Sequence, residues 1–96
     1  MITHIVLFKL VRSDEKSIEA ARAALAGLRG QIPQLRHLEV GANIVPTERS
    51  YDLGLVAKFD SLGDLQSYLD HPLHVEVVKF LHGNRQSTVS VDYETP

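Results

Sequence analysis

Residues 2–11, ITHIVLFKLV, divide by parity into Ile2, His4, Val6, Phe8, Leu10 and Thr3, Ile5, Leu7, Lys9, Val11, so a strand built from them is largely apolar on both sides. The run is rich in β-branched and aromatic residues and too short for a buried helix. Residues 51–59, YDLGLVAKF, set Leu53, Leu55, Ala57 and Phe59 against Gly54, Val56 and Lys58 and read in the same way. Strands of this kind belong in the middle of a sheet that is covered front and back.

The remaining segments fit around these two. With 96 residues the chain is expected to form one domain, residues 1–96, because a second core needs a chain about twice as long. Ser13, Asp14 and Glu15 mark a helix start, where the Ser13 hydroxyl can accept from an early N–H and the carboxylates meet the positive end of the dipole. That helix is expected to reach about Arg29, with Ile18, Ala21, Leu25 and Leu28 as its apolar stripe and Gly30 and Pro33 closing it. Residues 35–45, LRHLEVGANIV, are more polar and suit an edge strand. Ser61 and Asp64 resemble a capping box, followed by Leu62, Leu65, Tyr68 and Leu69 at helical spacing. Pro72 interrupts this helix, and a second segment runs from about Pro72 to Leu81 and stops at Gly83. Residues 87–94, STVSVDYE, form a last strand with Val89, Val91 and Tyr93 opposite Thr88, Ser90 and Asp92.

The order β-α-β-β-α-β is the split βαβ pattern of a ferredoxin-like α+β fold, a four-stranded antiparallel sheet with its helices on one face. Ile5, Leu7, Val56, Val89, Val91 and Tyr93 then fall on the face that no helix covers. Roughly several hundred Å2 of contiguous apolar surface would stand open there, more than soluble monomers usually tolerate. At about 25 cal/mol per Å2 the patch is worth several kcal/mol to a partner. A homodimer, sheet face against sheet face, is the expected cover.

Other partners and compartments are disfavoured. Ten Lys and Arg against twelve Asp and Glu give a net charge of −2, with no basic cluster to follow nucleic-acid phosphates. No apolar run approaches the roughly 20 residues of a membrane span, and no basic leader precedes an apolar stretch, so a cytoplasmic location is expected. The absence of cysteine excludes a disulfide scaffold, a thiolate nucleophile and any cysteine-ligated metal. No Gly-rich phosphate loop, dinucleotide fingerprint or Gly-x-Ser-x-Gly elbow occurs, and no cofactor is expected.

Four pieces in order carry a resemblance: His4-Ile5-Val6-Leu7-Phe8-Lys9, Gly41-x-Asn43, Tyr68-x-x-His71-Pro72-x-His74 and Val91-Asp92-Tyr93. Together they make the chain, over essentially its whole length, resemble the stress-responsive A/B barrel (Dabb) family. The resemblance implies a dimeric α+β barrel in which two ferredoxin-like sheets pack face to face. The family includes a plant polyketide cyclase, plant stress proteins and many bacterial proteins of unassigned activity, so membership does not fix function. In the cyclase a histidine and a tyrosine act together in a cavity between helices and sheet. The matching positions are His74 and Tyr68, with His4 at a further pocket histidine. Leu53 stands where the cyclase has another histidine, and Ala21 and Leu25 where it has bulky aromatics, so the cyclase's substrate is not implied.

The candidate site is therefore a pair of catalytic groups, His74 and Tyr68, in a mainly apolar pocket lined by His4, Val6, Phe8, Leu53, Leu55 and His71. Imidazole titrates near neutrality, so His74 suits removal of a proton alpha to a carbonyl while Tyr68 donates to the oxygen that gains charge. The expected ligand is a small hydrophobic carbonyl compound. Packing roles compete with this reading. His4 fits a core histidine with a satisfied N–H, His71 before Pro72 fits a helix-junction cap, and Tyr68 fits a packing residue with a polar tip. His71-x-x-His74 with His4 would offer three imidazoles to a metal, but no carboxylate matches and no metal is expected. A non-enzymatic stress or structural homodimer, and a cofactor-independent oxygenase, are the alternatives that the residues leave open.

Overall fold

A computed structural model describes all 96 residues. Seven elements follow one another: β1 (Ile2–Leu10), α1 (Glu15–Ala26), β2 (His37–Ala42), β3 (Leu53–Phe59), α2 (Leu62–Asp70), α3 (Pro72–His82) and β4 (Arg85–Glu94). The strands form one antiparallel sheet in the order β2-β3-β1-β4, which places the two doubly apolar strands at its centre. This is the ferredoxin-like topology that the element order implies. No helix is long and apolar enough to cross a membrane.

Parity decides what is buried. Along β3, Leu53, Leu55, Ala57 and Phe59 are buried while Gly54, Val56 and Lys58 are half-exposed. Ile2, His4, Phe8 and Leu10 of β1 share that buried face and meet Ala21 and Leu25 of α1, Leu65 and Tyr68 of α2, and Leu81 of α3. The opposite face carries Leu7, Val89, Val91 and Tyr93, between 40% and 53% exposed, with Ile5 and Val56 half-buried beside them. Cross-strand pairs Ile5–Val91, Leu7–Val89 and Ile5–Val56 make it one continuous apolar patch.

Several boundaries differ from expectation. The N-cap of α1 is Asp14, not Ser13: its carboxylate accepts from the Ser17 N–H at 3.1 Å and from the Ser17 hydroxyl at 2.7 Å. A carboxylate at this position also meets the helix dipole, which a hydroxyl does not exploit. The helix ends at Ala26 rather than near Arg29, because Leu28 and Arg29 bond back three residues instead of four and the chain then reverses at Gly30, φ +76°. Leu28 is nonetheless buried. The strand expected over 35–45 is limited to His37–Ala42, since the Leu35 N–H is held by the Ile32 carbonyl and Ile44 and Val45 stand out, 89% and 63% exposed.

Two further features position the site. His71 ends α2 and caps α3 with an extended ψ of 135°, the conformation that a residue before proline prefers, so the helix is broken there. At the other end, Asn84 bridges to Arg12, accepting from its N–H at 2.6 Å and donating to its carbonyl at 2.9 Å. This clamp starts β4 at Arg85, two residues earlier than the alternation indicates. Lys9 pairs with Ser87 but Leu10 pairs with Arg85, so Gln86 is an extra residue in a β-bulge.

Candidate functional site

A cavity of about 200 Å3 opens between the helices and the β1–β4 side of the sheet. Six expected residues line it together: His4, Val6, Phe8, Leu55, Tyr68 and His74. Two others lie elsewhere. Leu53 is 2% exposed and pairs with Phe8 on the far side of β1 from β4, so it packs in the core. His71 serves the helix break: its Nδ1 accepts from the Leu73 N–H at 3.1 Å and its side chain does not reach the cavity lining.

Tyr68 comes from the last turn of α2 and His74 from the first turn of α3, and their ring centroids are 4.5 Å apart. Tyr68 is pinned by Phe59, with ring centroids 5.0 Å apart, and approaches His4 edge-on at 6.3 Å. No polar side-chain atom is sealed away without a partner, so the phenol hydroxyl, which no protein group engages, meets the cavity. Burial pushes the Tyr68 pKa up to about 12, which keeps the phenol protonated and able to donate at neutral pH.

His74 is held by its own helix break. Its Nδ1 lies 3.1 Å from the Leu69 carbonyl oxygen, which can only accept, so Nδ1 carries the proton and donates. The neutral ring therefore keeps its lone pair on Nε2. Burial holds the His74 pKa below its ordinary 6.5, the Leu69 hydrogen bond only partly offsetting this, and the nearby His4 and His71 act in the same direction as burial. The site thus offers a neutral base beside a protonated phenol.

His4 is both a buried histidine with a partner and part of the cavity lining. It is 7% exposed, as a core histidine would be, and its Nδ1 donates to the Asp92 carboxylate, its direct cross-strand partner. It also lines the cavity. Asp92 has a legible facing in the sequence, opposite Val91 and Tyr93, but its pairing with His4 depends on strand register. Leu25, Leu69, Val78 and Leu81 of the helices and Arg85, Thr88 and Ser90 of β4 complete the wall and were not among the expected pocket residues. Thr88 and Ser90 could be found from alternation, whereas Arg85 precedes the expected strand. No group of three or more His, Asp or Glu side chains is arranged to hold a metal ion.

The chain belongs to the stress responsive A/B barrel domain family, whose model matches residues 2–95. It is 40% identical over 77 residues to an uncharacterized protein of Streptomyces coelicolor, an overlap of 77% of this chain and 79% of that relative. Among solved structures, it is similar to a dimeric ferredoxin-like protein of unknown function from Bacteroides fragilis, with 35% identity, 98% of this chain and 95% of that one covered, and a TM-score of 0.85. A second dimeric ferredoxin-like protein of unknown function, from Thermobifida fusca, is 27% identical, with 98% and 90% covered and a TM-score of 0.87.

Proposed function

We propose that this chain is a homodimeric binding and acid–base domain for a small hydrophobic carbonyl compound, held in the cavity beside Tyr68 and His74. The observation that carries the reading is the fixed tautomer of His74, which leaves Nε2 as a free base next to a phenol that no protein group engages. In the proposed step His74 Nε2 takes a proton alpha to the carbonyl while the Tyr68 hydroxyl donates to the oxygen on which the enolate charge develops. The enolate carbon is then ready to attack a second carbonyl of the same molecule, as in an intramolecular aldol condensation. His4, anchored by Asp92, supports Tyr68 from the side.

Proton abstraction has a direct test. In D2O, the wild-type protein is expected to accelerate deuterium incorporation alpha to the carbonyl of 2-heptanone, followed by NMR, and His74→Ala and Tyr68→Phe are each expected to remove the acceleration. No acceleration by the wild type across short-chain ketones and 1,3-diketones overturns the acid–base assignment.

The dimer is supported by the apolar outer face of the sheet, where Leu7, Val89, Val91 and Tyr93 remain between 40% and 53% exposed in the single chain. Two similar proteins of the same fold are described as dimeric. Light scattering after size exclusion is expected to give about twice 10.7 kDa at micromolar concentration. A stable monomer overturns it.

A further inference from the structure

The cavity has a charged end that the acid–base reading does not use. Arg85 is the one side chain of fixed charge in its lining; no carboxylate lines it, and the guanidinium makes no ion pair within the chain. Its presence there follows from the β-bulge. Strict alternation from Ser87 would set Gln86 opposite Leu10, on the helix-covered face; the bulge sets Arg85 there instead, and it is Arg85 that lines the cavity while Gln86 does not. Bulges commonly re-aim a side chain beside a functional site. The Asn84–Arg12 clamp fixes the chain immediately before it.

We propose that Arg85 selects an anionic head group, so that the ligand is an amphipathic carboxylate whose hydrocarbon chain runs over Val6 and Phe8 towards Tyr68 and His74. This rests on the cavity being the ligand site, as proposed above. Leu10, opposite Arg85, and His4 are separated on β1 by Val6 and Phe8, whose side chains line the cavity between them. The head-group contact therefore lies towards one end of the cavity and the acid–base pair towards the other. The wall between them is apolar on β1, with the Thr88 and Ser90 hydroxyls along the β4 edge. A planar guanidinium with no competing partner can take a carboxylate through two parallel hydrogen bonds, which an ammonium cannot reproduce.

The test compares octanoate with octanamide, equal in length and differing in charge, by NMR titration of the whole protein. The wild type is expected to bind octanoate at least tenfold more tightly than octanamide, with shifts at His74 and at the Val6 methyls. Arg85→Gln is expected to lower octanoate affinity to the octanamide level and to leave octanamide binding unchanged, which also shows that the variant is folded. Arg85→Lys should recover only part of the difference. If octanamide binds in the cavity but octanoate binds no better, or if Arg85→Gln leaves octanoate affinity intact, the head-group assignment falls and the cavity reading stands. If neither probe perturbs the cavity residues of the wild type, the cavity reading fails and the Arg85 assignment with it.

Discussion

Tyr68 and His74 face each other across a break in the backbone, their ring centroids 4.5 Å apart although one closes α2 and the other opens α3. An unbroken helix would put residues six positions apart well away from one another, at about 600° of rotation and 9 Å of rise. The extended residue His71 folds the path back enough for the Leu69 carbonyl to hold the His74 ring. The arrangement of phenol and imidazole is thus a property of the junction as much as of the two side chains.

The junction histidine can be separated from the site by substitution. His71→Ala removes the cap on the Leu73 N–H and should cost about 1 kcal/mol of stability in urea titrations, in the range of other N-cap losses. Ligand binding in the cavity should change by less than threefold. A large loss of binding with unchanged stability would instead place His71 at the ligand.

Buried His74 gives stability a pH dependence of known sign. Its folded pKa lies below the ordinary 6.5, so below about pH 6.5 the unfolded chain binds a proton that the folded chain resists. Stability is therefore unaffected above that pH and declines as pH falls from about 6.5 towards the lower folded value. In paired urea titrations between pH 8 and 5, the wild type should lose stability relative to His74→Gln as the pH drops. A difference independent of pH would show that His74 is not desolvated.

Tyr68 acts at the alkaline end. Its pKa rises from 10.0 to about 12, so between these values the unfolded chain releases a proton that the folded chain retains, and stability falls as pH rises. Two pKa units correspond to about 2 to 3 kcal/mol, fully expressed only above pH 12. Tyr68→Phe keeps the ring stacked near Phe59 and should abolish this alkaline loss while changing neutral-pH stability by about 1 kcal/mol or less. Absorbance of the phenolate during an alkaline titration gives an independent check.

Phe59 holds Tyr68 in place and is fully buried, at 0% exposure. Phe59→Ala should destabilise the fold by about 3 to 5 kcal/mol, the range for an aromatic truncated in a packed core. Leu55→Ala, at the cavity wall, should cost about 2 to 5 kcal/mol and enlarge the ligand space.

The outer sheet face is open to a charge test. Val91→Lys introduces a cation at the centre of the patch formed with Ile5 and should convert a dimer to a monomer in light scattering while circular dichroism stays unchanged. An intact dimer would place the interface elsewhere.

The architecture was readable because parity and proline leave strong marks. Leu53, Leu55, Ala57 and Phe59 alternate without interruption, and Pro72 breaks the helix through the residue before it. Boundaries were less readable where two residues offer the same chemistry. Ser13 and Asp14 can each cap α1, and only backbone geometry selects Asp14. Ile44 and Val45 extend the apolar pattern of β2 but have no partner strand residues, so composition alone overshoots. At the site, it is the family resemblance that singles out His4, Tyr68 and His74, and their spacing is compatible with one shared pocket. Leu53 and Leu55 share one parity, and which of them reaches the cavity depends on position along the strand. Arg85 was hidden because one extra residue in β4 reverses the facing that alternation assigns.

The single extended residue between α2 and α3 also separates two kinds of inheritance. Substitutions near His71 and Pro72 re-angle one helix against the other, and with them the Tyr68 ring against the His74 ring, while the pleated floor beneath keeps its register. A lineage built on this plan can reset the ring pair at the joint without renegotiating the rest of its folding problem.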